Sequence, residues 1–202
     1  MKKKYSIKEK KIIERSIVLS DFQKQSFSKQ IQDFQKKIMP YNENFYLGVT
    51  PKILKINGAK YDKLVLSQKG LIKIHIQHHL NFDIIEKIPE YLNMPYLVIK
   101  GSSDNTFACI LELKNDTNKE ILVSINIEAN EGYMNVSRVT SAYGKKGLNS
   151  YLTNKERKVL DFYNKKRTNQ WLASRGLQLP KLSNNDSSFN YIICLKNKKC
   201  NK

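Results

Sequence analysis

The sequence predicts an α+β fold in which N-terminal helices are followed by an antiparallel sheet of about four to five strands. In the first 40 positions, apolar residues recur at the three- and four-residue spacings of a helix face. Between residues 96 and 140, short β-rich runs alternate with turn-forming residues, as in a meander of strands. Helices first and consecutive strands afterwards are typical of α+β proteins.

Residues 1–42 are predicted to form a basic helical arm. An early helical segment is suggested by Ile12, Ile13, Ile17 and Leu19, and Ser20–Asp21 would cap the helix that follows. One face of that second helix would carry Phe27, Ile31, Phe34 and Ile38. Pro40 ends the helical pattern.

The next region mixes short helices with one strand. Threonine at a cap and proline in the first turn favour a helix start at Thr50–Pro51, and Asn57–Gly58 would end that helix. Residues 64–66 read as a short strand. Ser67 would then cap a helix to about residue 79, and a second helix would cover residues 82–92.

The predicted sheet follows from residue 96. Its four consecutive strands would cover residues 96–100, 107–113, 121–127 and 133–140. A hairpin turn at Asn115–Asn118 would join the second and third of these. A last strand at 159–163 would lead into a helix at Lys165–Ser174, which Gly176 would stop.

The charge is large and unevenly placed. The 202 residues carry a net charge of +18. Residues 1–40 hold 11 basic and 4 acidic groups, residues 41–143 hold 11 of each, and residues 144–202 hold 14 and 3. Two basic ends around a neutral middle predict a surface that faces a polyanion, of which nucleic acid is the first candidate. The alternative is a lysine-rich composition that reflects codon usage alone.

Composition also bounds the cellular context. No apolar run approaches the ~20 residues of a membrane-spanning helix, so no membrane partner is expected. The lysines after Met1 resemble the start of a signal peptide, but Glu14 and Arg15 interrupt the apolar residues that should follow, so we expect a cytoplasmic protein. Three cysteines without close spacing favour reduced thiols over a disulfide framework.

A polar strand end, residues 137–146, is the first candidate for chemistry. It combines the guanidinium of Arg138, several hydroxyls and two lysines beside Gly144. In a straight strand Ser141 and Tyr143 would face away from Arg138, so these groups converge only if the strand bends or ends near Ser141. The alternative is an ordinary polar strand end.

The second candidate is a histidine cluster formed by His75, His78 and His79, which are all the histidines of the chain. Two histidines four residues apart can bind zinc, but Asp83 is the only nearby carboxylate and no third ligand is evident, so no metal site is predicted. One alternative is a histidine that closes a helix end. The other is a general acid or base, because histidine titrates near neutrality.

The start of the last predicted helix is the third candidate. Cations are unfavourable at a helix N-terminus, so the basic run at 164–167 makes more sense with an anion such as phosphate beside it. Trp171 follows on the same helix, and it is predicted to be a core residue rather than a platform for base stacking.

Several of these segments occur together, in this order and at similar spacing, in one known domain. They are residues 46–51, 73–74, His78, 88–90, 141–144, 163–167 and 176–180. Over residues 45–193 the chain resembles the C-terminal nuclease-like domain of phage MuF-type minor-capsid and polymorphic-toxin proteins. That domain is grouped with the barnase–EndoU–colicin–RelE-like ribonucleases. The resemblance implies a barnase/RelE-like domain at 43–195, followed by a basic tail at 196–202.

The resemblance also implies RNA cleavage without a metal or another cofactor, by attack of the ribose 2′-hydroxyl on the adjacent phosphate. His78 would be the acid or base, and Ser141 and Tyr143 would orient the phosphate. The phosphate clamps would be Arg138, Lys165 and Arg167. Further RNA contacts would come from Lys145, Lys146, Lys166 and His79.

The expected partners are RNA and, beyond it, a protein inhibitor or a defence complex. The alternative within the same fold is a protein that has lost catalysis and either binds RNA or inhibits a host-defence complex, as anti-CRISPR proteins do.

Overall fold

The computed structural model describes residues 19–154 and 159–179, and the backbone of 194–195. It confirms a mixed α+β fold. The helices of the described part are α1 (Phe27–Gln35), α2 (Lys52–Ile56), α3 (Gln68–Ile72), α4 (Phe82–Ile85), α5 (Ile88–Leu92), α6 (Leu148–Thr153) and α7 (Lys165–Ser174). The strands are β1 (Phe45–Val49), β2 (Lys63–Leu66), β3 (Leu97–Lys100), β4 (Thr106–Lys114), β5 (Glu120–Glu131), β6 (Met134–Gly144), β7 (Val159–Asp161), β8 (Leu177–Gln178) and β9 (Cys194–Leu195).

The main sheet has seven strands rather than the predicted four to five. Their order is β1-β2-β6-β5-β4-β3-β7, and β8 and β9 form a separate two-stranded ladder. β2 pairs with β6 in parallel, whereas the other neighbours are antiparallel. The sequence did not assign β1, which is short and contains Gly48 at an irregularity of the ladder. A glycine inside a strand weakens the sequence signal of that strand.

Both faces of the sheet are covered, which explains its almost continuous apolar strands. Along β5, Ile121 and Val123 belong to the core beneath α1 to α5, whereas Leu122 belongs to the core beneath α6 and α7. Successive side chains of a strand point to opposite faces, so a strand buried on both sides has no polar face. The helices therefore lie in two layers with the sheet between them.

The helix of the N-terminal arm is part of this packing. The hydroxyl of Ser26, rather than of Ser20, accepts the N-terminal hydrogen bond of α1 from the Lys29 amide. The buried amide of Gln30 hydrogen-bonds both the N–H and the carbonyl of Tyr46, at 2.8 and 3.2 Å, as a neighbouring strand would. The helix ends at Gln35, so the prediction that Ile38 shares a helix face with Phe27, Ile31 and Phe34 was wrong, and Ile38 is exposed. The predicted segment around Ile12–Ile17 lies outside the described residues.

Several of the helices between β1 and β3 begin or end at residues other than those predicted. Proline occupies the position before α2, while the Thr50 hydroxyl is buried and makes no cap hydrogen bond. The Ser67 hydroxyl accepts from the Gly70 amide at 3.0 Å, which confirms the predicted cap of α3. After Ile72 the helix continues as one π-helical segment, Lys73–Gln77, up to His78. The predicted helix 82–92 is divided into α4 and α5.

A bulge in β6 means that this strand is not straight near Ser141. Ser124 pairs with Ser141 while Ile125 pairs with Val139, so Thr140 has no partner of its own. Val139 and Ala142 consequently reach the same core although they are three residues apart. Tyr143 packs against the opposite core, so it does not share a face with Val139. A bulge shifts the alternation of a strand by one residue, and no period-two pattern predicts it.

The β4–β5 hairpin has the predicted turn, with a 2.8 Å hydrogen bond from the Asn118 amide to the Asn115 carbonyl. This turn lies against the end of β6. A Cβ atom at Gly144 would be 2.3 Å from the side-chain nitrogen of Asn115. Gly144 is therefore required for the close approach of two chain segments, and the strand continues to it rather than ending near Ser141.

The C-terminal part of the described chain agrees with the sequence in its main helix. α7 has the predicted bounds, the Asn164 side chain accepts from the Arg167 amide at 3.0 Å, and Gly176 follows with φ of 69°. The short helix α6 was not predicted; it begins after Gly147, which has φ of 58°. Within the described residues, no helix combines the length and the apolar character needed to span a bilayer.

Candidate functional site

The candidate site lies along the outer edge of β6, at the point where β2 stops. Leu66, the last residue of β2, pairs with Val139, and the chain then turns at Ser67 into α3. The edge of β6 beyond Val139 is therefore not covered by a strand. The π-helical segment returns there and brings His78 to Ser141.

His78 and the end of β6 are in direct contact. Nε2 of His78 is 3.0 Å from Oγ of the buried Ser141. The ring of His78 is tilted against that of Tyr143, with 5.2 Å between their centroids. The structure therefore brings together three residues that were selected from the sequence, His78, Ser141 and Tyr143. His78 is distant from the other two in sequence and meets them only through the fold.

The environment of His78 favours its neutral form. Burial lowers the pKa of His78 below its ordinary value, and the positive charges of Lys73 and His79 lower it further. Within the described part of the chain, Nδ1 of His78 has no hydrogen-bond partner. If Nε2–H donates to Ser141, Nδ1 carries the lone pair that can take a proton.

A lysine beside Tyr143 gives this edge a positive charge. Nζ of Lys145 lies 5.9 Å from the ring centroid of Tyr143 and 4.7 Å from that of Tyr151 on α6. The Lys145 amide donates to the Glu120 carbonyl at 2.9 Å, which holds the backbone after β6 in place. Lys146 is the next residue and is exposed. Through Tyr143, the Lys145 cation is thus close to the ring of His78.

The other two histidines have different surroundings. Nδ1 of His75 lies 2.9 Å from the Leu80 carbonyl, and its ring stacks on Phe82 with 4.1 Å between centroids. The idea of a histidine that closes a helix end thus fits His75. His79 is exposed and has φ of 52°, in the left-handed region. Among the described residues, no three His, Cys, Asp or Glu side chains are grouped so that they could hold a metal ion.

Arg138 is not brought to His78. Its guanidinium donates a hydrogen bond to the Asn130 carbonyl. Asn130 pairs with Asn135, so the Arg138 side chain extends toward the start of β6, away from Ser141. An arginine in this position stabilises the long β5–β6 hairpin.

The basic start of α7 is also separate from His78. Arg167 donates to the Met94 carbonyl at 2.5 Å, forms an ion pair of 3.0 Å with Glu112, and lies 5.0 Å from the ring centroid of Tyr96. Glu112 is on β4, and β5 lies between β4 and β6, so two strand spacings, ~10 Å, separate these strands. Lys165 and Lys166 are exposed in the same first turn.

Trp171 is a core residue, as the sequence predicted. It is 9% exposed and stacks on Tyr96 with 4.6 Å between centroids. Its Nε1 donates to Glu120 at 3.4 Å, and Glu120 also forms an ion pair with Arg175. These side chains border a cavity of about 740 Å³ between α7 and the β4–β5 hairpin.

Two residues of the site had not been selected from the sequence. Lys73 lowers the pKa of His78, and Tyr151 contacts Lys145. Lys73 belongs to the segment 73–74 that contributes to the family resemblance, but the sequence did not indicate that it acts on His78. Tyr151 lies on a helix that the sequence did not indicate.

Residues 72–170 match the family model of the phage MuF C-terminal domain. This range contains His78, Ser141, Tyr143 and α7 up to Gln170, and it is shorter than the range of 45–193 expected from the sequence. It supports the MuF-type resemblance for this part of the chain. Neither a curated protein nor a solved structure matches the chain.

Proposed function

We propose that the chain is a metal-independent endoribonuclease in which the ribose 2′-hydroxyl attacks the adjacent phosphate. The observation that carries the proposal is the 3.0 Å contact between Nε2 of His78 and Oγ of Ser141, at a half-buried edge with several cations. The sequence resemblance to a nuclease-like MuF-type domain also supports it, and the range matched by the MuF family model, 72–170, includes His78 and Ser141.

In the proposed step, His78 is the general base. Its lowered pKa keeps the ring neutral near neutral pH, so a nitrogen lone pair is available. Nε2–H donates to Ser141, and Nδ1 takes the proton of the 2′-hydroxyl. The 2′-oxygen then forms a bond to phosphorus, the bond from phosphorus to the 5′-oxygen breaks, and that oxygen takes a proton from a second group. The products are a 2′,3′-cyclic phosphate and a 5′-hydroxyl.

The cations of the edge would stabilise the phosphate. Negative charge accumulates on the phosphoryl oxygens in the transition state, and fixed cations lower its energy. Lys145, which contacts Tyr143, and Lys73, whose charge acts on His78, are the cations that we assign to this role. His79 and Tyr143 are the titratable neighbours that could protonate the leaving oxygen. Arg138 and Arg167 are assigned structural roles, since their guanidinium groups are bonded elsewhere.

The test is cleavage of a 5′-labelled RNA by the purified full chain, with mapping of the product ends. We expect cyclic phosphate ends and unchanged cleavage in EDTA. Replacing His78 by alanine should lower the cleavage rate by a factor of ~10² to 10⁴, the usual contribution of a general base. Ser141→Ala should lower it less, by about tenfold, because the ring loses only its orientation.

His75→Ala is the matched control, because it removes a histidine of the same helix that contacts Leu80 and Phe82 instead. Its folded fraction should be measured by circular dichroism beside that of the His78 variant. Cleavage that persists in His78→Ala, or that disappears in EDTA, would refute the proposed chemistry.

A second candidate function is RNA binding without cleavage. It is favoured by the separation of both arginines from His78, because a site with few phosphate clamps could bind RNA and fail to cut it. Intact RNA after long incubation, together with salt-sensitive binding of the same RNA, would select this function. A host-defence inhibitor remains a further alternative on the same fold.

A further inference from the structure

A second surface, whose lining residues include none of those proposed for cleavage, lies between α1, α3 and α4. A groove of about 490 Å³ runs between the end of α1, the start of α3 and α4. It is lined by Phe34, Gln35, Lys37, Met39, Gln68 and Phe82. We call these residues the α1–α3 groove. Three of its six lining residues are large and apolar, and they are only partly buried.

Exposed isoleucines extend this groove. Ile72 follows Gln68 by one helical turn and is 48% exposed, and Ile76, one turn later, is 60% exposed. His75 lies between them in sequence and stacks on Phe82, which connects the isoleucines to the groove. Ile38, between two lining residues, is 62% exposed. A concave apolar site with several exposed isoleucines beside it is typical of a protein interface.

The charge around the groove indicates what it binds. Lys37 lines the groove, and the exposed Lys36 and Lys69 are sequence neighbours of lining residues. Within the described part of the chain none of these lysines has a carboxylate at ion-pair distance. Two carboxylate residues oppose these lysines: Asp83 follows Phe82, and Glu43 accepts a hydrogen bond from Gln68 through its carbonyl at 3.4 Å. The net charge at the margin is therefore positive.

Two other occupants fit less well. A second copy of this chain would bring one net charge of +18 against another, which disfavours self-association. RNA would be attracted by the lysines, but it offers no aliphatic side chains for Ile72 and Ile76.

We infer that the α1–α3 groove, with Ile72 and Ile76, is a docking site for an acidic amphipathic helix of another protein. Such a helix would bury its apolar face on the groove and place carboxylates against the marginal lysines. Because α3 and the π-helical segment lead directly to His78, the bound helix would lie beside the candidate site without occupying Ser141 or Lys145.

The experiment uses a fluorescein-labelled helical peptide of about 16 residues with leucine on one face and glutamate on the other. Its binding to the full chain is followed by fluorescence anisotropy at physiological ionic strength. Ile72→Ser/Ile76→Ser should weaken binding at least ~10-fold, because two apolar contacts are lost. Val49→Ser/Ile56→Ser is the matched control, since these residues are 52% and 69% exposed elsewhere, and it should leave binding unchanged.

Two further measurements locate the contact. Hydrogen exchange should show protection of residues 34–39 and 68–77 when the peptide is bound. A second peptide, with alanine in place of leucine and the same charge, should bind at least ~10-fold more weakly if apolar contact matters. Equal binding of both peptides, or protection confined to residues 143–146, would overturn the inference, because the interaction would then be attraction to a basic surface.

The alternative occupants are tested on the same variants. Sedimentation velocity should find the protein monomeric. Anionic phosphatidylglycerol vesicles should bind the wild-type chain and the Ile72→Ser/Ile76→Ser variant to the same extent. Dimerisation or vesicle binding that depends on these isoleucines would overturn the inference in favour of a second copy or a membrane surface.

Discussion

At the scale of single residues, the chemistry proposed for His78 depends on its neighbours. Ser141 holds one ring nitrogen, Tyr143 contacts the ring, and Lys73 contributes a positive charge that disfavours protonation. Histidine has an ordinary pKa near neutrality, so small effects of this kind decide its charge in the cell. The same effects set the pH range in which His78 can accept a proton.

A pH titration tests this account at the residue scale. The pKa of His78, followed by NMR of its ring protons, should lie below the ordinary value of 6.5. Lys73→Gln should raise it toward that value, because a neighbouring positive charge is removed. If His78 is the base, cleavage should increase as the pH rises through its pKa, and the Lys73→Gln profile should be displaced to higher pH.

The control for this titration is Lys166→Gln, which removes an exposed lysine of α7 and is not among the charges that act on His78. It should leave the His78 titration unchanged. A His78 pKa at or above 6.5 in the wild-type chain would contradict the environment described for it.

At the scale of secondary-structure elements, the attachment of α7 to the sheet depends on a partly buried ion pair. Arg175, at the end of α7, pairs with Glu120 at the start of β5, whose side chain is almost inaccessible. Burial, the largest single effect, would raise the pKa of Glu120, but the hydrogen bonds from Arg175, the backbone and Trp171 and the positive charge of Arg175 together outweigh it, so the pKa is lowered. The ion pair therefore links α7 to the strand beside β6.

Arg175→Ala should destabilise the chain by about 3 kcal/mol, because the carboxylate of Glu120 stays buried without its partner. Urea unfolding at pH 7 measures the free energy of unfolding. The double variant Arg175→Ala/Glu120→Gln should recover part of the loss, since the unpaired charge is removed. Additive losses from the two substitutions would contradict the coupling of these residues.

The same pair has a pH dependence of known sign. Because the pKa of Glu120 is lower in the folded chain than its ordinary value of 4.5, it stabilises the fold above pH 4.5. That contribution should be lost as the pH falls through and below 4.5. The Glu120→Gln variant should show a correspondingly weaker loss of stability over the same range.

At the scale of the whole molecule, the net charge of +18 governs association with polyanions. Two consecutive lysines, Lys145 and Lys146, follow the end of β6 beside the candidate site. Cations at the site would contact phosphates directly, whereas distant ones would add only general attraction. The salt dependence of binding separates these contributions.

The His78→Ala variant should still bind a single-stranded RNA. Its affinity, measured by anisotropy over a range of salt concentrations, should fall as the salt concentration rises. Lys145→Gln/Lys146→Gln in the same background should reduce the slope of log K against log salt by ~1.4, from ~0.7 for each phosphate contact. Lys24→Gln/Lys60→Gln is the control, because both lysines are paired with carboxylates. An equal change in the control would contradict a local phosphate site.

Local sequence patterns were sufficient for many of the elements. The cap at Ser67, the Asn115 turn and the bounds of α7 depend on contacts within a few residues, which the sequence displays directly. The strands of the meander were found because apolar runs alternate with turns. The identity of Trp171 as a core residue followed from its apolar neighbours on the same helix.

Contacts between distant segments were not predictable in this way. The parallel pairing of β2 with β6 and the unassigned β1 raised the strand count to seven. The bulge at Thr140 changed which side chains share a face, and the ion pair of Arg167 with Glu112 holds this arginine away from the candidate site. Each depends on partners far away in sequence, for which local periodicity carries no information.

The sequence by itself determined the α+β class, the basic character and the resemblance that selected His78 and the segment 141–144. Only the tertiary structure decided that Ser141 is the partner of His78 and that Lys73 and Lys145 lie near this pair. It also decided that Arg138 and Arg167 lie elsewhere. The physical reason is that β2 ends before β6 does. The edge of β6 beyond Val139 therefore has no neighbouring strand. The π-helical continuation of α3 lies there instead and places His78 at this edge.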